Sequence, residues 1–394
     1  MEKREKKSPA QFLEYAGDVA SYYGFRPLRD IDPALFRAHA GGRRGALSFA
    51  DAVVFGAQCV AVRQNEPMLA YYATPSLSHP PAEISRREAG EFCLQVAGPS
   101  QGLGEILVLK AATAILSEWG APAARIRVNA FGDRDSRERF SRELSNFIRR
   151  RFGSESEGLA EDERQRLLGN PFGVYTSVSP AVRESLCDAP RPLHFLSERS
   201  RAHFKELLEY LDQTELPYEI DDTLGGDERE PRIAFRIDLE NPGDASGVSE
   251  NIVISSAGGR YDDFVARLAG KRENSTVHAS IFFRKKSPGH LSFVPSAGER
   301  PKMYFIQLGV RAKLRGLEVV DILRRRHIPI AQSFDTTHLA EQLAAAQKTG
   351  VSYILIMGQR EALDGTVIVR RVRNSSQQIV ALNTLARFLG TLRV

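Results

Sequence analysis

The residues with the clearest chemical character lie in the stretch Gly258-Gly259-Arg260-Tyr261-Asp262. A β-branched run just before it, residues 251–255, predicts a buried strand, and residues 264–268 predict the start of a helix. Two adjacent glycines between strand and helix would let the backbone approach a ligand or another strand closely. Arg260 and Asp262 are therefore expected at the mouth of a tight turn, where a cation and a carboxylate could face a ligand.

This stretch resembles the GGRYD signature of the histidyl-tRNA synthetases, which are class II aminoacyl-tRNA synthetases. The resemblance implies an α+β core, an antiparallel sheet with helices and a helical insertion, followed by a small α/β anticodon-binding domain. It also implies activation of histidine with ATP and Mg²⁺, and tRNA as partner.

Length and composition agree with a globular protein of two or three domains. The chain has 394 residues, of which 42% are hydrophobic and 26% charged. No apolar run approaches the roughly 20 residues of a membrane span, and the charged N-terminus is not typical of a signal peptide. Three scattered cysteines, Cys59, Cys93 and Cys187, form no CxxC pair. We therefore expect a cytoplasmic protein without a membrane partner.

Positive charge is concentrated in the last quarter of the chain. Residues 300–394 contain 15 Lys/Arg and 6 Asp/Glu, a net charge of +9, whereas the whole chain has a net charge of +5. A basic module on a slightly acidic body predicts a polyanionic partner for that module.

The order of elements before residue 287 follows the synthetase core. An amphipathic helix over residues 9–23 is followed by Gly24-Phe25, and residues 87–98 resemble the second strand of motif 2. Asn129, Gly132 and Arg137 are in register with a further segment of the family. The predicted domains are a core over residues 1–286, with a helical insertion at about 152–215, a linker over 287–301, and a C-terminal domain over 302–394.

The C-terminal domain alternates strands and helices. Residues 351–357 are almost continuously apolar, which is typical of a central parallel strand covered on both faces. The module resembles the anticodon-binding domain of class II synthetases, and Gly358-Gln359-Arg360-Glu361 stands at the family's GxxE.

The positions that hold ATP and the amino acid in the family carry other residue types here. The resemblance places Leu77 at the motif 2 arginine and Gly226 at the arginine of RGLDYY. Gln95 stands where a glutamate takes the substrate amine. His278 and Phe282 stand at the two motif 3 glycines that lie beneath the adenine. Among the phosphate-binding arginines, only that of motif 3 has a cationic substitute, Lys285, and lysine lacks the guanidinium fork.

No catalytic set is therefore predicted to be intact. The positions that remain as vestigial pocket candidates are Arg87, Glu91, Gln95, Arg260, Tyr261 and Lys285. The histidines and cysteines show no metal-ligand spacing, so neither a metal nor another cofactor is predicted. ATP and Mg²⁺ would be needed only by an active ligase.

Arginines in the C-terminal domain are the predicted RNA contacts. They are Arg311, Arg315, Arg324, Arg325, Arg326, Arg370, Arg371 and Arg373. Arg324 to Arg326 end a helix, where cations also interact favourably with the helix dipole.

Two hypotheses remain open. The first is a non-catalytic paralogue that binds tRNA, another structured RNA or a protein partner. The second is a histidine–tRNA ligase with a rearranged pocket. Because class II cores of this family pair through motif 1, the resemblance also implies a homodimer with twofold symmetry.

Overall fold

The structure is a computed structural model, and two sheets with their helices form its framework. It describes residues 8–40, 47–62, 67–75, 88–98, 102–153, 161–170, 172, 186–225, 229–240, 253–270, 275–285, 300–333 and 338–392. The predicted linker, residues 287–301, lies almost entirely outside the described residues. The predicted domain boundaries stay a prediction.

The larger sheet has eight strands in the described residues and forms the core. Its order is β1-β2-β3-β8-β7-β6-β4-β5, and all neighbours are antiparallel except β1 with β2 and β4 with β5. The strands are β1 (Arg26–Pro27), β2 (Met68–Pro75), β3 (Ala89–Ala97), β4 (Ala123–Ala130), β5 (Tyr218–Ile220), β6 (Ile233–Leu239), β7 (Val253–Arg260) and β8 (Thr276–Arg284). This arrangement confirms the predicted α+β synthetase core.

Helices cover both faces of this sheet. They are α1 (Pro9–Tyr22), α2 (Leu28–Ile31), α3 (Pro33–Ala40), α4 (Phe49–Val62), α5 (Leu103–Trp119), α6 (Arg134–Phe152), α7 (Glu161–Gly169), α8 (Glu198–Gln213) and α9 (Asp262–Ala269). Ser8 and Gln11 form a capping box that starts α1. α5 is buried on almost all sides, and its apolar residues join one core cluster with those of α1, α8 and the sheet. α4 covers the opposite face.

The two glycines of the opening stretch lie inside a strand. The predicted turn is wrong, because β7 continues through Gly258 and Gly259 to Arg260, and α9 begins at Asp262. A Cβ at Gly258 would lie 2.1 Å from the His278 carbonyl oxygen, and one at Gly259 would lie 2.4 Å from that of Ile233. The glycines therefore serve the close approach of neighbouring strands.

The C-terminal domain is built on a five-stranded sheet of order β10-β9-β11-β12-β13. Its strands are β9 (Met303–Gln307), β10 (Ile330–Gln332), β11 (Tyr353–Met357), β12 (Thr366–Arg371) and β13 (Gln377–Ala381). Its helices are α10 (Val310–Arg325), α11 (Leu339–Thr349), α12 (Gln359–Asp364) and α13 (Leu382–Leu389). The predicted small α/β domain is confirmed.

The apolar strand β11 is central, as predicted, but only one of its neighbours is parallel. It runs parallel to β9 and antiparallel to β12. The helix α12 forms at the GxxE residues, where Glu361 accepts a hydrogen bond from the backbone of Gly358 at 2.9 Å.

Gly258→Ala tests the close approach of β7 and β8. We expect a loss of about 3 kcal/mol in the free energy of unfolding, because the new Cβ meets backbone and the ring of Phe235, neither of which can yield easily. Chemical denaturation measures the loss. Gly169→Ala is the matched control, since a Cβ there has nothing within 4 Å. Equal effects of the two substitutions would contradict this account.

Candidate functional site

Strand alternation divides the core sheet into two chemically different faces. Phe92, Leu94 and Val96 of β3 point into the apolar core with α5. Between them, Glu91, Cys93 and Gln95 point to the other face, opposite Phe282, Ser280 and His278 of β8. We call the second set, together with Tyr72 of β2, the polar face.

Glu91 is the acidic group of the polar face. It is 4% exposed and accepts a hydrogen bond from Ser280 Oγ at 3.0 Å. Cys93 Sγ lies 4.0 Å from the same carboxylate oxygen and 3.8 Å from Ser280 Oγ. The Tyr72 hydroxyl lies 3.2 Å from His278 Nε2. Glu91, one of the predicted pocket candidates, therefore belongs to a cluster of buried polar side chains.

The neighbours of Glu91 are held neutral. Burial, followed by the charge of Glu91, raises the pKa of the Cys93 thiol well above its usual value. Burial likewise raises the pKa of Tyr72, and burial followed by the charge of Arg229 lowers the pKa of His278 well below 6.5. Near pH 7 the thiol, the phenol and the imidazole are thus all uncharged.

Gln95 holds a helix in place. Its Nε2 donates to the Ala52 carbonyl oxygen of α4 at 3.2 Å, and the residue is fully buried. Gly56 of α4 sits so close that a Cβ there would lie 2.5 Å from Nε2. α4 therefore rests directly on this part of the polar face.

Aromatic rings and an arginine fill the next part of the polar face. Phe49, at the start of α4, lies edge to face with His278 at 4.7 Å between ring centres. The Arg229 guanidinium carbon lies 4.1 Å from the centre of the Phe49 ring and 4.9 Å from that of Tyr261. Both distances are within the range of cation–π attraction.

Phe282 and Lys285 lie at the end of β8. Phe282 is 8% exposed and Lys285 9% exposed. Burial lowers the pKa of Lys285. Its side chain is thus largely withdrawn from solvent.

Arg260 lies on the face opposite the polar face, and the structure separates it from the other pocket candidates. Its guanidinium donates to Glu105 of α5 at 3.0 Å and to Asp262 at 2.8 Å, and it also contacts Ser275. Glu105 is fully buried and is also bonded to His203 of α8. Burial by itself raises the pKa of Glu105, but the charge of Arg260 and the bonds from both partners outweigh it and lower that pKa to about 2. Arg260 therefore connects β7 to α5 and, through Glu105, to α8.

Several residues that lie in or beside the site were not predicted from the sequence. Phe49, Tyr72 and Arg229 belong to the polar face, and no motif points to them. Glu105 had a detectable signal, because it is the one charged residue in the apolar run Leu103 to Leu109.

Comparison with known proteins gives one family model, sequence relatives and solved structures that are similar to this chain. The family described as anticodon binding domain matches residues 304–392. The histidine–tRNA ligase of Geobacillus thermodenitrificans is 28% identical over 328 residues, which are 82% of this chain and 75% of that protein. That of Prochlorococcus marinus is 25% identical over 321 residues, covering 79% and 71%. The crystal structure of the apo S. aureus histidyl-tRNA synthetase matches 98% of this chain and 99% of that chain, with 17% identity and a TM-score of 0.48.

The sequence relatives span both the core and the C-terminal domain. Over most of its length the chain is similar to histidine–tRNA ligases.

Among the family positions, Arg87, Leu77 and Gly226 lie outside the described residues. Glu91, Gln95 and Tyr261 lie in or against the polar face, and their role as vestigial pocket residues stays a prediction. In the part of the chain that the structure describes, no group of His, Cys, Asp or Glu side chains could hold a metal ion. No helix in that part is both long and apolar enough to cross a membrane.

The arginines of the anticodon-binding domain fall at two opposite ends. α10 runs back along the sheet, so Arg311 and Arg315 lie about 20 Å from Arg325 and Arg326. β12 ends beside the start of β11, where Arg371 pairs with Tyr353. Arg326 lies near Gly390, at the end of α13. We call the second group the basic end; it consists of Arg325, Arg326, Arg370, Arg371 and Arg373.

Arg324 is buried between the anticodon-binding domain and the core. It is 6% exposed and pairs with Glu118 of α5 and with Asp321, which also accepts a hydrogen bond from Tyr23. Gln332 Nε2 adds a bond of 2.6 Å to the Tyr22 carbonyl oxygen. This placement leaves Arg324 almost no surface for RNA.

Glu105→Gln tests the buried pair. We expect a loss of about 3 kcal/mol at pH 7, because the neutral amide leaves the Arg260 charge poorly compensated. The folded pKa of Glu105 lies below its usual 4.5, so its stabilisation is complete above about pH 4.5 and is lost as pH falls towards 2. The variant should therefore lose less stability than the parent over that window.

Chemical denaturation at several pH values between 7 and 3 measures both the loss of stability at pH 7 and its change with pH. Glu219→Gln is the control, because Glu219 pairs with Arg125 on the surface and should contribute below about 1 kcal/mol. A Glu105 variant as stable as this control would refute the role of the pair.

Proposed function

We propose that the protein is a non-catalytic member of the histidyl-tRNA synthetase family that binds tRNA or another structured RNA. The observation that carries this proposal is the filling of the polar face by the chain's own side chains. Arg229 stacks on Phe49 and Tyr261, Phe49 abuts His278, and Gln95 is bonded to α4. Little of this face remains for a nucleotide and an amino acid together.

Residue types at the family's catalytic positions support the same conclusion. Adenylation develops negative charge at the α-phosphate, and arginine forks stabilise it. Leucine and glycine stand at two of the arginine positions, and a largely buried lysine stands at a third. Since removal of one transition-state donor typically slows a reaction by about 10²–10³, the combined changes leave no efficient adenylation.

A histidine-dependent ATP–pyrophosphate exchange assay separates the two hypotheses. We expect no exchange above background, and no ATP binding by calorimetry below the millimolar range, because the phosphate clamp and the space for adenine are missing. An active histidine–tRNA ligase assayed in parallel serves as control. Robust exchange would favour the second hypothesis, which the names of the sequence relatives support, and would make ATP and Mg²⁺ cofactors.

The RNA contacts are proposed at the basic end. Arg325, Arg326, Arg371 and Arg373 are exposed there, and Arg370 is half-buried. Arg371 also stacks on Tyr353 and donates to its hydroxyl at 3.1 Å, which fixes the direction of that guanidinium. Arg311 and Arg315 belong to the other end, and Arg315 is paired with Glu318 at 3.2 Å. A phosphate backbone could contact the basic end without reaching the other group.

A charge-matched pair of triple variants tests this assignment in the full chain. Replacing Arg325, Arg326 and Arg371 by alanine should reduce the slope of log affinity against log salt by about 2, at roughly 0.7 per lost phosphate contact. Replacing Arg311, Arg315 and Arg360, which lie at the opposite end, removes the same charge and should change the slope much less. Filter binding of tRNA between 50 and 200 mM salt gives the slopes.

Two results would contradict RNA binding at this surface. Equal slopes for the two triple variants would remove the basic end as the contact site. Failure of the parent protein to bind any RNA at low ionic strength would favour a protein partner instead.

A homodimer is proposed from the family resemblance. Sedimentation at micromolar concentration should give twice the mass of 43.7 kDa, because class II cores of this family pair through motif 1. A monomeric mass under these conditions would reject this assembly. The cytoplasmic localisation likewise stays a prediction.

A further inference from the structure

Arg229 stacks on two aromatic rings at the polar face. Its guanidinium carbon lies over two rings, Phe49 at 4.1 Å and Tyr261 at 4.9 Å, and these rings stand edge to face at 5.3 Å. Phe49 comes from α4, and Tyr261 directly precedes α9. The two rings are therefore held by different helices, whose apolar residues pack together in one cluster. Arg229 itself belongs to a turn cluster before β6.

The next residue holds this arginine in place. Glu230 accepts bonds from Arg137 of α6 at 3.0 Å and from Arg267 of α9 at 2.7 Å. Its φ angle is 54°, in the left-handed region that a residue with a Cβ rarely adopts. Such strain persists only where surrounding contacts enforce it. Glu230 is thus a clamp that fixes the backbone beside Arg229.

The clamp borders a cleft of about 700 Å³. Arg137, Glu230, Asp263 and Arg267 are among its lining residues. Arg232 donates to Asp263 at 2.6 Å and Arg267 to Glu230 at 2.7 Å, so the carboxylates that line the cleft are paired with arginines. Because these charges largely compensate one another, the cleft has no strong preference for an anion. The unusual feature is the neighbouring pair of aromatic rings that holds a cation.

We propose that the Phe49–Tyr261 ring pair is a binding site for a small guanidinium or alkylammonium cation, which Arg229 occupies in the isolated chain. Two aromatic faces select a soft, weakly hydrated cation, and the adjacent His278, which contacts Phe49, is uncharged and does not repel one. A free ligand of this class binds when Arg229 withdraws. The proposal does not rest on RNA binding, and its readout is separate from tRNA affinity and from exchange activity.

Removal of the arginine side chain tests the site. Arg229→Ala should bind methylguanidinium with a Kd of the order of millimolar, at least tenfold tighter than the parent protein, because the vacated rings accept the free cation. Isothermal titration of the full chain measures both affinities. Urea, which is planar but neutral, should not bind the variant. Arg360→Ala is the matched control, since it removes an exposed arginine from the other domain.

A second variant tests the clamp. Glu230→Gln leaves Arg229 in place but weakens its hold, so methylguanidinium should bind this variant several-fold more tightly than the parent. An affinity equal to that of the parent would show that Glu230 does not hold the arginine.

A folded Arg229→Ala protein that binds methylguanidinium no better than the parent, or that binds urea equally well, would refute the cation site. If this variant does not fold, an NMR spectrum of the parent protein provides the test. The Arg229 side-chain protons should be shifted upfield by the two rings, and this signal should disappear in Arg229→Lys. Absence of any upfield-shifted arginine signal would also refute the site.

Discussion

The buried ion pair between Arg260 and Glu105 is the constraint on which the core depends. Arg260 ends β7, and Glu105 lies fully buried in the first turn of α5, so neither charge has solvent to stabilise it. Asp262 adds a second carboxylate and accepts a bond from the Thr276 backbone at the start of β8. A charge buried without its partner costs several kcal/mol, so strand, helix and neighbouring strand must assemble together.

This pair also explains why the GGRYD-like stretch has its sequence. The glycines permit the strands to approach closely, which brings Arg260 to the end of β7 on the side of α5. Tyr261 then turns to the other side and meets Phe49. One short stretch therefore serves both faces of the sheet: its arginine stabilises the core, and its tyrosine forms part of the polar face.

Contacts between the core and the anticodon-binding domain set the orientation of the basic end. Between α10 and α5, the buried Arg324 pairs with the half-buried Asp321 and the more exposed Glu118, and Tyr23 donates to Asp321. The adjacent Arg325 and Arg326 lie on the exposed side of the same helix end. Three consecutive arginines thus have two different roles, because successive helical residues point about 100° apart. A charge count cannot distinguish them.

From the amino-acid sequence we could predict the α+β core with a small α/β domain after it, most helix and strand positions, and the resemblance to histidyl-tRNA synthetases. Apolar periodicity and short motifs encode these features locally, as in α1, α5 and β11. The family resemblance also made Glu91, Gln95 and Tyr261 candidates for a vestigial pocket, which stays a prediction. Three features became visible only in the fold: Gly258 and Gly259 lie inside a strand, Arg260 and Arg324 are buried in ion pairs, and Arg229 stacks on Phe49. Each of these depends on partners distant in the chain, and no local pattern records which buried charge meets which partner.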